Sequence, residues 1–471
     1  MAEQVAYIQE LLRLIAQHTK NRRTLYNACL VSHAFYEAFN PYLYQDVRWS
    51  YGNVQYLVSK NRCQQRLHEN ISKHARTLIF SFPGVVSIGN KLNRQISTAI
   101  IEICQHSRHL RSIACEGIHP TTQYFGGLSC LPHLENLSIA FPRSPGRLMM
   151  KDLSSAWNHL ALGNLRKLSL LDLWDYMDNW RRDAILQIIL QSPNLEHFSL
   201  SLSRTPVYSY SRLFTWIAEQ YKFRKGHKLR LKILRLGFCI RVPHNLHELL
   251  DLSVLQELST WDKVPEQLFS GDMTPKLRKI LIRESALGCW VSIDLIAAAR
   301  ENPPSIQISP EVIGDDDDLR RCLHISRVAQ IILSQRVWES MDESGKAREC
   351  LSMLAHVTDL GIEMSASDVT DLANTSCQSL KPLVSLKNLW IMGYHDPVPD
   401  VTKQAASVLP SLRLIRMKSR SWLIHRDIKS EGDISLEPLD EWEGEAHGPD
   451  FFHVPRPHPW GDGLGHEQVD L

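Results

Sequence analysis

Three observations in the 471-residue sequence predict an α/β fold, with a small N-terminal helical module followed by an irregular solenoid of strand–helix units around a curved parallel sheet. Apolar residues at helical spacing fill the first forty positions. A relaxed motif of three apolar anchors, L-x-x-L-x-L, then recurs between Ala75 and Met417. Amphipathic stretches separate many of the copies, so each copy reads as a strand and a helix that must stack on neighbours to bury an apolar face.

The elements follow in order. Val5, Ile8, Leu11, Leu12 and Ile15 form one apolar stripe, with Glu3, Gln9, Glu10, Arg13 and Gln17 between them, and Asn21-Arg22-Arg23 interrupts it. A second helix is predicted through Leu25, Ala28, Cys29, Leu30 and Val31. A third runs through Phe35, Ala38 and Phe39, and Asn40-Pro41 is expected to stop it. Three such short helices make a core too small to stand comfortably alone.

The order of residues here resembles the F-box. Glu10-Leu11-Leu12-Arg13-Leu14-Ile15 matches its E-L-L-x-x-I helix, and Leu25 through Val31 to Phe35 matches its L-x-x-x-x-x-V-x-x-x-F/W segment. Asn40-Pro41-Tyr42-Leu43-Tyr44-Gln45-Asp46-Val47 is similar to the closing N-P-x-L-Y-x-x-V of many fungal members. Where the family has Leu-Pro before the first helix, this chain has Tyr7 and Ile8. The resemblance implies that the apolar face docks on a Skp-type adaptor and through it on a cullin. The implied adaptor-binding residues are Ile8, Leu11, Leu12, Ile15, Leu25, Leu30, Val31 and Phe35.

Three free apolar positions arise by chance about a dozen times in a chain of this composition, so the surrounding grammar carries the repeat reading. The anchors are Leu110-Ile113-Cys115, Leu134-Leu137-Ile139, Leu165-Leu168-Leu170, Leu195-Phe198-Leu200, Leu231-Leu234-Leu236, Leu255-Leu258-Thr260, Leu277-Ile280-Ile282, Leu386-Leu389-Ile391 and Leu412-Ile415-Met417. Weaker copies are Ala75-Leu78-Phe80 and Val357-Leu360-Ile362. Nine of the eleven begin with Leu followed at once by Arg, Lys, Glu or Gln, a regularity that chance does not supply. Middle anchors lie 22 to 36 residues apart except for one gap of 80, which is expected to hide a strand at Ser305–Ile308 and an inserted helix around Leu319–Leu333. Helices are expected at Ile96–Cys104, Ala184–Leu190, Leu213–Phe223, Leu295–Ala299, Ala347–Leu354 and Val401–Leu409. The grammar resembles leucine-rich repeats, and Leu231 through Leu236 to Cys239 resembles the cysteine-containing form common beside F-boxes. The fold class is thus an irregular leucine-rich-repeat-like α/β solenoid behind an F-box-like module. The expected domains are 1–48, 49–428 and an acidic, Gly/Pro-rich tail at 429–471.

Charge and composition narrow the function. The net charge of +2 offers no global field toward nucleic acid or anionic membrane, and neither partner is expected. The balance is uneven: residues 430–471 carry eleven acidic residues and one basic one, leaving the rest of the chain at +12. No secretory signal or spanning segment is read, and the ten cysteines contain no C-x-x-C pair, which fits a reducing compartment, cytoplasmic or nuclear.

No catalytic constellation is read, and no cofactor or metal is expected. His425-Arg426-Asp427 is like a kinase catalytic loop, but Gly432 stands where the metal-holding Asn belongs and a phosphate loop is missing. His244 and His247 are three apart, whereas a zincin helix needs four. Asp315–Asp318 reads as the acidic start of a helix, and the four tail histidines follow no ligand spacing. Function is therefore expected on the strand residues that point away from the core, since side chains alternate along a strand. That row reads Ala114, Ser138, Ser169, Ser199, Arg235, Ser259, Leu281, Gly361, Trp390 and Arg416, and the next adds Trp261 and Arg283. Trp and Arg are enriched at binding hot spots, so Arg235, Trp261, Arg283, Trp390 and Arg416 are the candidates for holding a protein target. A non-catalytic substrate-recognition subunit of a Skp–cullin–F-box ubiquitin ligase is the expected function, and a repeat scaffold without ligase assembly is the alternative.

Overall fold

A computed structural model of the chain describes residues 2–19, 22–49, 62–81, 90–116, 131–140, 162–173, 179–202, 212–237, 242–260, 273–282, 305–308, 328–333, 351–352, 354–374, 377–392, 399–417, 420–426 and 434–439, with single positions 58, 128, 240, 335 and 338. It divides into two compact units, one of Met1–Ile282 with Ala286–Pro304 and one of Arg283–Ser285 with Ser305–Leu471.

The first unit opens with α1 (Ala2–His18), α2 (Arg22–Cys29) and α3 (His33–Leu43). Nine parallel strands follow, hydrogen-bonded in chain order: β1 (Asp46–Trp49), β2 (Thr77–Ser81), β3 (Ser112–Glu116), β4 (Asn136–Ala140), β5 (Lys167–Leu173), β6 (His197–Leu202), β7 (Ile233–Leu236), β8 (Glu257–Thr260) and β9 (Lys279–Ile282). Between them lie α4 (Arg62–His74), α5 (Asn90–His106), α6 (Asn179–Gln191), α7 (Leu213–Lys225) and the single turn α8 (Leu246–Leu249).

The repeat anchors decide this stacking. The middle anchors Leu78, Ile113, Leu137, Leu168, Phe198, Leu234, Leu258 and Ile280 pair in register and are fully buried. Full burial of one such side chain stabilises by roughly 1.5–3 kcal/mol, so the row supplies a continuous core that no single repeat could. Helices close it from the other side: Leu213, Phe214, Ile217, Ala218 and Tyr221 are the buried face of α7, and Phe214 lies 6.2 Å from Phe198 between ring centres.

Several strands are entered through a tight turn. Leu131-Pro132-His133-Leu134, Ser192-Pro193-Asn194-Leu195, Thr274-Pro275-Lys276-Leu277 and Leu409-Pro410-Ser411-Leu412 each close with the fourth residue's N–H donating to the first residue's carbonyl, at 3.1–3.4 Å. Proline at the second position has its φ already set for such a turn. The polar residue after each first anchor then forms a ladder of its own. The N–H groups of Arg111, Glu135, Arg166, Glu196, Lys232, Gln256 and Arg278 each donate to the corresponding carbonyl one repeat earlier, at 2.7–2.9 Å. Their side chains alternate in sign from Arg111 to Lys232, with Arg111–Glu135 at 3.3 Å and Glu196–Lys232 at 2.7 Å.

The second unit holds five parallel strands, β10 (Ser305–Ile308), β11 (Val328–Leu333), β12 (Asp359–Glu363), β13 (Asn388–Met392) and β14 (Leu414–Met417), with α9 (Ala366–Asn374) and α10 (Pro399–Val408). It ends with two antiparallel strands, β15 (Arg420–Arg426) and β16 (Ile434–Leu439).

Two expectations change, and two strands lie at the expected domain limits. Residues 328–333 are a strand and not the end of an inserted helix: Val328, Ile331 and Ile332 are β-branched and suit a strand, and Ile331 and Leu333 are buried. Pro41 lies inside α3, where the ring removes one donor while the Tyr44 N–H still reaches the Asn40 carbonyl at 3.3 Å. Strand β1 spans the boundary expected at residue 48. The expected tail begins with β16. The helix expected at Leu295–Ala299 and the acidic run Asp315–Asp318 lie outside the described residues.

Candidate docking face on the N-terminal helices

The three N-terminal helices divide their apolar residues between two faces. Leu12, Ala16, Leu25, Ala38 and Phe39 are buried together, with Ala28, Cys29, Ala34, Phe35, Tyr42 and Leu43 packed around them. Phe35 stacks on Phe39 at 5.6 Å. Burial raises the Cys29 thiol above its ordinary range, and raises the Tyr44 hydroxyl with help from Tyr36 and Cys29. Ser32 caps α3 by accepting the Phe35 N–H, and Gln9 donates to Glu37 at 3.4 Å, tying α1 to α3. The module is fixed to α4 by Asn40 donating to Asn70 at 3.2 Å, and to the sheet by the Arg76 and Thr77 N–H groups donating to the Gln45 carbonyl and by pairing of β1 with β2.

The other face is left to solvent. Among the described residues ten large hydrophobics are exposed, and eight of them are Ile8, Leu11, Leu14, Ile15, Tyr26, Leu30, Val31 and Tyr36. Leu30 and Val31, at the turn after α2, are 68% and 67% exposed. Eight exposed large hydrophobics within residues 8–36 contrast with the single exposed apolar residues that are normal on a protein surface. Of the eight adaptor residues expected from the sequence, Ile8, Leu11, Ile15, Leu30 and Val31 lie on this face. Leu12 and Leu25 lie in the buried cluster, and Phe35 is half-buried against it. Leu14, Tyr26 and Tyr36 belong to the face and were not singled out; Leu14 sits inside the Glu10–Ile15 helix motif, whose apolar residues outnumber those one core can cover.

The outward row of the sheet is partly covered in both units, with Ser169, Ser259 and Leu281 buried in the first. In the first, Ala114, Ser138, Ser169, Ser199, Arg235, Ser259 and Leu281 pair in register. Arg235 donates through Nε and Nη2 to one Glu257 oxygen at 2.9 and 2.8 Å, so a neighbouring strand holds its guanidinium. His197, beside this pair, is held below its ordinary pKa, first by burial and then by Lys167. In the second unit the row is covered. Trp390 is 3% and Arg416 7% exposed, the guanidinium lies 5.3 Å from the indole centre, and Met392 and Leu439 pack against Trp390 and Leu414. Trp390 and Arg416 are thus packed on each other and on their neighbours. Trp261 and Arg283 lie outside the described residues.

The kinase-like fragment has a structural role. Arg426 lies in β15 and donates to the carbonyls of Ala406, Leu409 and Leu412, closing the C-terminal end of α10, and His425 meets Glu437 across the hairpin at 2.7 Å. His244 precedes α8 while His247 lies within it, so the two do not share a helical face. Among the described residues no cluster of three metal-binding side chains occurs. No described helix is long and apolar enough to cross a membrane.

The described residues thus define an α/β protein of the leucine-rich-repeat type, with anchor residues in parallel register and helices between the strands. No family model matches the sequence, and no curated protein is similar to it. Two similar solved structures are the crystal structure of the Rad7 and Elc1 complex in yeast and the TLR13–ssRNA13 complex. The first is 12% identical over 83% of this chain and 90% of that one, with a TM-score of 0.42. The second is 12% identical over 80% of this chain, with a TM-score of 0.32, and the match spans 55% of its length.

Proposed function

We propose that this chain is a substrate-recognition subunit of a Skp–cullin–F-box ubiquitin ligase, with the N-terminal helices docking on a Skp-type adaptor and the repeats holding a protein target. The observation that carries the reading is the exposed face from Ile8 to Tyr36, which holds eight of the ten exposed large hydrophobics among the described residues. Its residues come from the same segments that resemble the F-box. Apolar surface kept in water is unfavourable, and an adaptor of matching apolar surface would remove that penalty. Action would be by proximity: the target is held near the ubiquitin-loaded enzyme of the assembly, and no residue of this chain performs the covalent step. Arg235 is the target-contact candidate among the described residues, and Trp261 and Arg283 remain candidates from the sequence.

The test is co-purification of tagged full-length protein with a Skp-type adaptor, beside the double variant Leu30→Asp with Val31→Asp. Both sites are exposed, so the variant should fold and lose the adaptor. A folded wild-type chain that captures no adaptor would overturn the ligase reading and leave the scaffold reading, to which the Tyr7-Ile8 departure points.

A further inference from the structure

The C-terminal end of α7 carries a feature that an adaptor subunit does not require. Its inner face is buried, yet Phe223 in the last turn is 85% exposed, the highest value among the exposed large hydrophobics of the described residues. Around it Lys222, Arg224, Lys225, His227 and Lys228 are all exposed, and residues 222–228 contain no carboxylate. Gly226 closes the helix in the left-handed conformation at φ 71°, its N–H donating to the Lys222 carbonyl at 2.9 Å. The turn is held from both sides, with His227 edge-on to Tyr221 at 5.5 Å between ring centres and Lys228 Nζ donating to the His247 carbonyl at 2.7 Å.

Cations in a last helical turn complement the negative end of the helix, which accounts for Lys222, Arg224 and Lys225 as charges. It does not account for the phenyl ring among them, and none of the three makes an ion pair with a described residue. A ring exposed to this degree has no walls, so among the described residues the tip offers neither the groove that a peptide needs nor the row of aromatics on which successive bases stack. An anionic bilayer requires neither. It takes one protruding apolar side chain into its interface and places cations among its headgroups.

We propose that this tip is a contact site for anionic lipid surfaces, with Phe223 entering the interface and Lys222, Arg224 and Lys225 meeting the headgroups. The near-zero net charge of the chain does not oppose it, because headgroups are felt only within about 8 Å at physiological salt. The site is independent of the ligase reading and would bring the whole chain to a membrane surface reversibly.

The experiment is co-flotation of the full-length chain with vesicles of phosphatidylcholine alone or with about 30% phosphatidylserine, at two salt concentrations. Flotation only with the anionic vesicles, weakened by salt, is the expected result. Phe223→Ala should lower partitioning roughly tenfold, and Lys222→Gln with Lys225→Gln by at least about tenfold. All three positions are exposed, so unchanged thermal melting is expected and is measured alongside. Equal partitioning to both vesicle types, no flotation, or variants that float like the wild type would each overturn the proposal. So would preferential binding of a labelled single-stranded RNA or of polyglutamate over the vesicles.

Discussion

At the scale of single residues, three positions have costs that follow from their surroundings. A Cβ added to Gly237 would stand 2.3 Å from the Ser201 Cβ and 3.1 Å from its Cα, so β6 and β7 can approach as they do only with glycine there. Gly237→Ala should therefore destabilise the first unit by about 1–3 kcal/mol, read as a lower denaturation midpoint. Arg426→Ala would remove three bonds from one guanidinium and leave the carbonyls closing α10 without that donor. A loss of about 2 kcal/mol from the second unit is expected by the same measurement. Cys377 is buried, and burial pushes its thiol from 9.0 up to about 11. Folding then favours the protonated form: its contribution is complete below pH 9 and is lost as pH rises through about 11. Cys377→Ala should flatten the stability profile in that alkaline window alone.

At the scale of elements, the eleven strands anticipated from L-x-x-L-x-L were legible because their middle anchors are all buried: the period of two and the core face agree. The hairpin β15–β16 was not, since its exposure alternates weakly and Arg426 suggested a different chemistry. The exposed apolar residues of the N-terminal helices were half legible. Helical periodicity marks Leu11, Leu12 and Ile15 as one stripe, but the position of α3 decides which part of the stripe it covers, and that is a tertiary fact. Hence Leu12 lies within and Leu11 outside. Leu30→Asp with Val31→Asp should leave thermal melting unchanged, whereas Leu12→Asp forces a charge into the core and should unfold the module, both visible by circular dichroism. The charge ladder makes its own prediction. Glu196 is held below its ordinary pKa chiefly by its bond to Lys232, with Arg166 adding to the effect. Glu196→Lys would set three cations in a row and should cost about 1 kcal/mol at low salt, shrinking as salt screens these partly exposed groups.

For the molecule as a whole, the N-terminal helices and the repeats are less separable than the sequence suggested. Trp49 stacks on Phe80 at 5.0 Å, and β1 is the strand that covers β2. Cutting the chain after residue 48 would remove Asp46, Val47 and Arg48 from that pairing and open an edge over a core containing Leu78 and Phe80. Such a truncation should bind a hydrophobic dye and aggregate, which a shorter deletion sparing α3 and β1 should do less. The two compact units likewise reflect the single long gap in the anchor spacing, between Ile280 and Leu360.

The sign alternation along Arg111, Glu135, Arg166, Glu196 and Lys232 gives this part of the molecule a parity. Excising any one of the three inner repeats would bring two like charges together, whereas excising two adjacent ones would restore opposite neighbours. Apolar anchors alone treat all repeats as interchangeable; the column beside them does not. Growth or loss of this array by whole repeats would therefore meet less electrostatic resistance in steps of two than in steps of one.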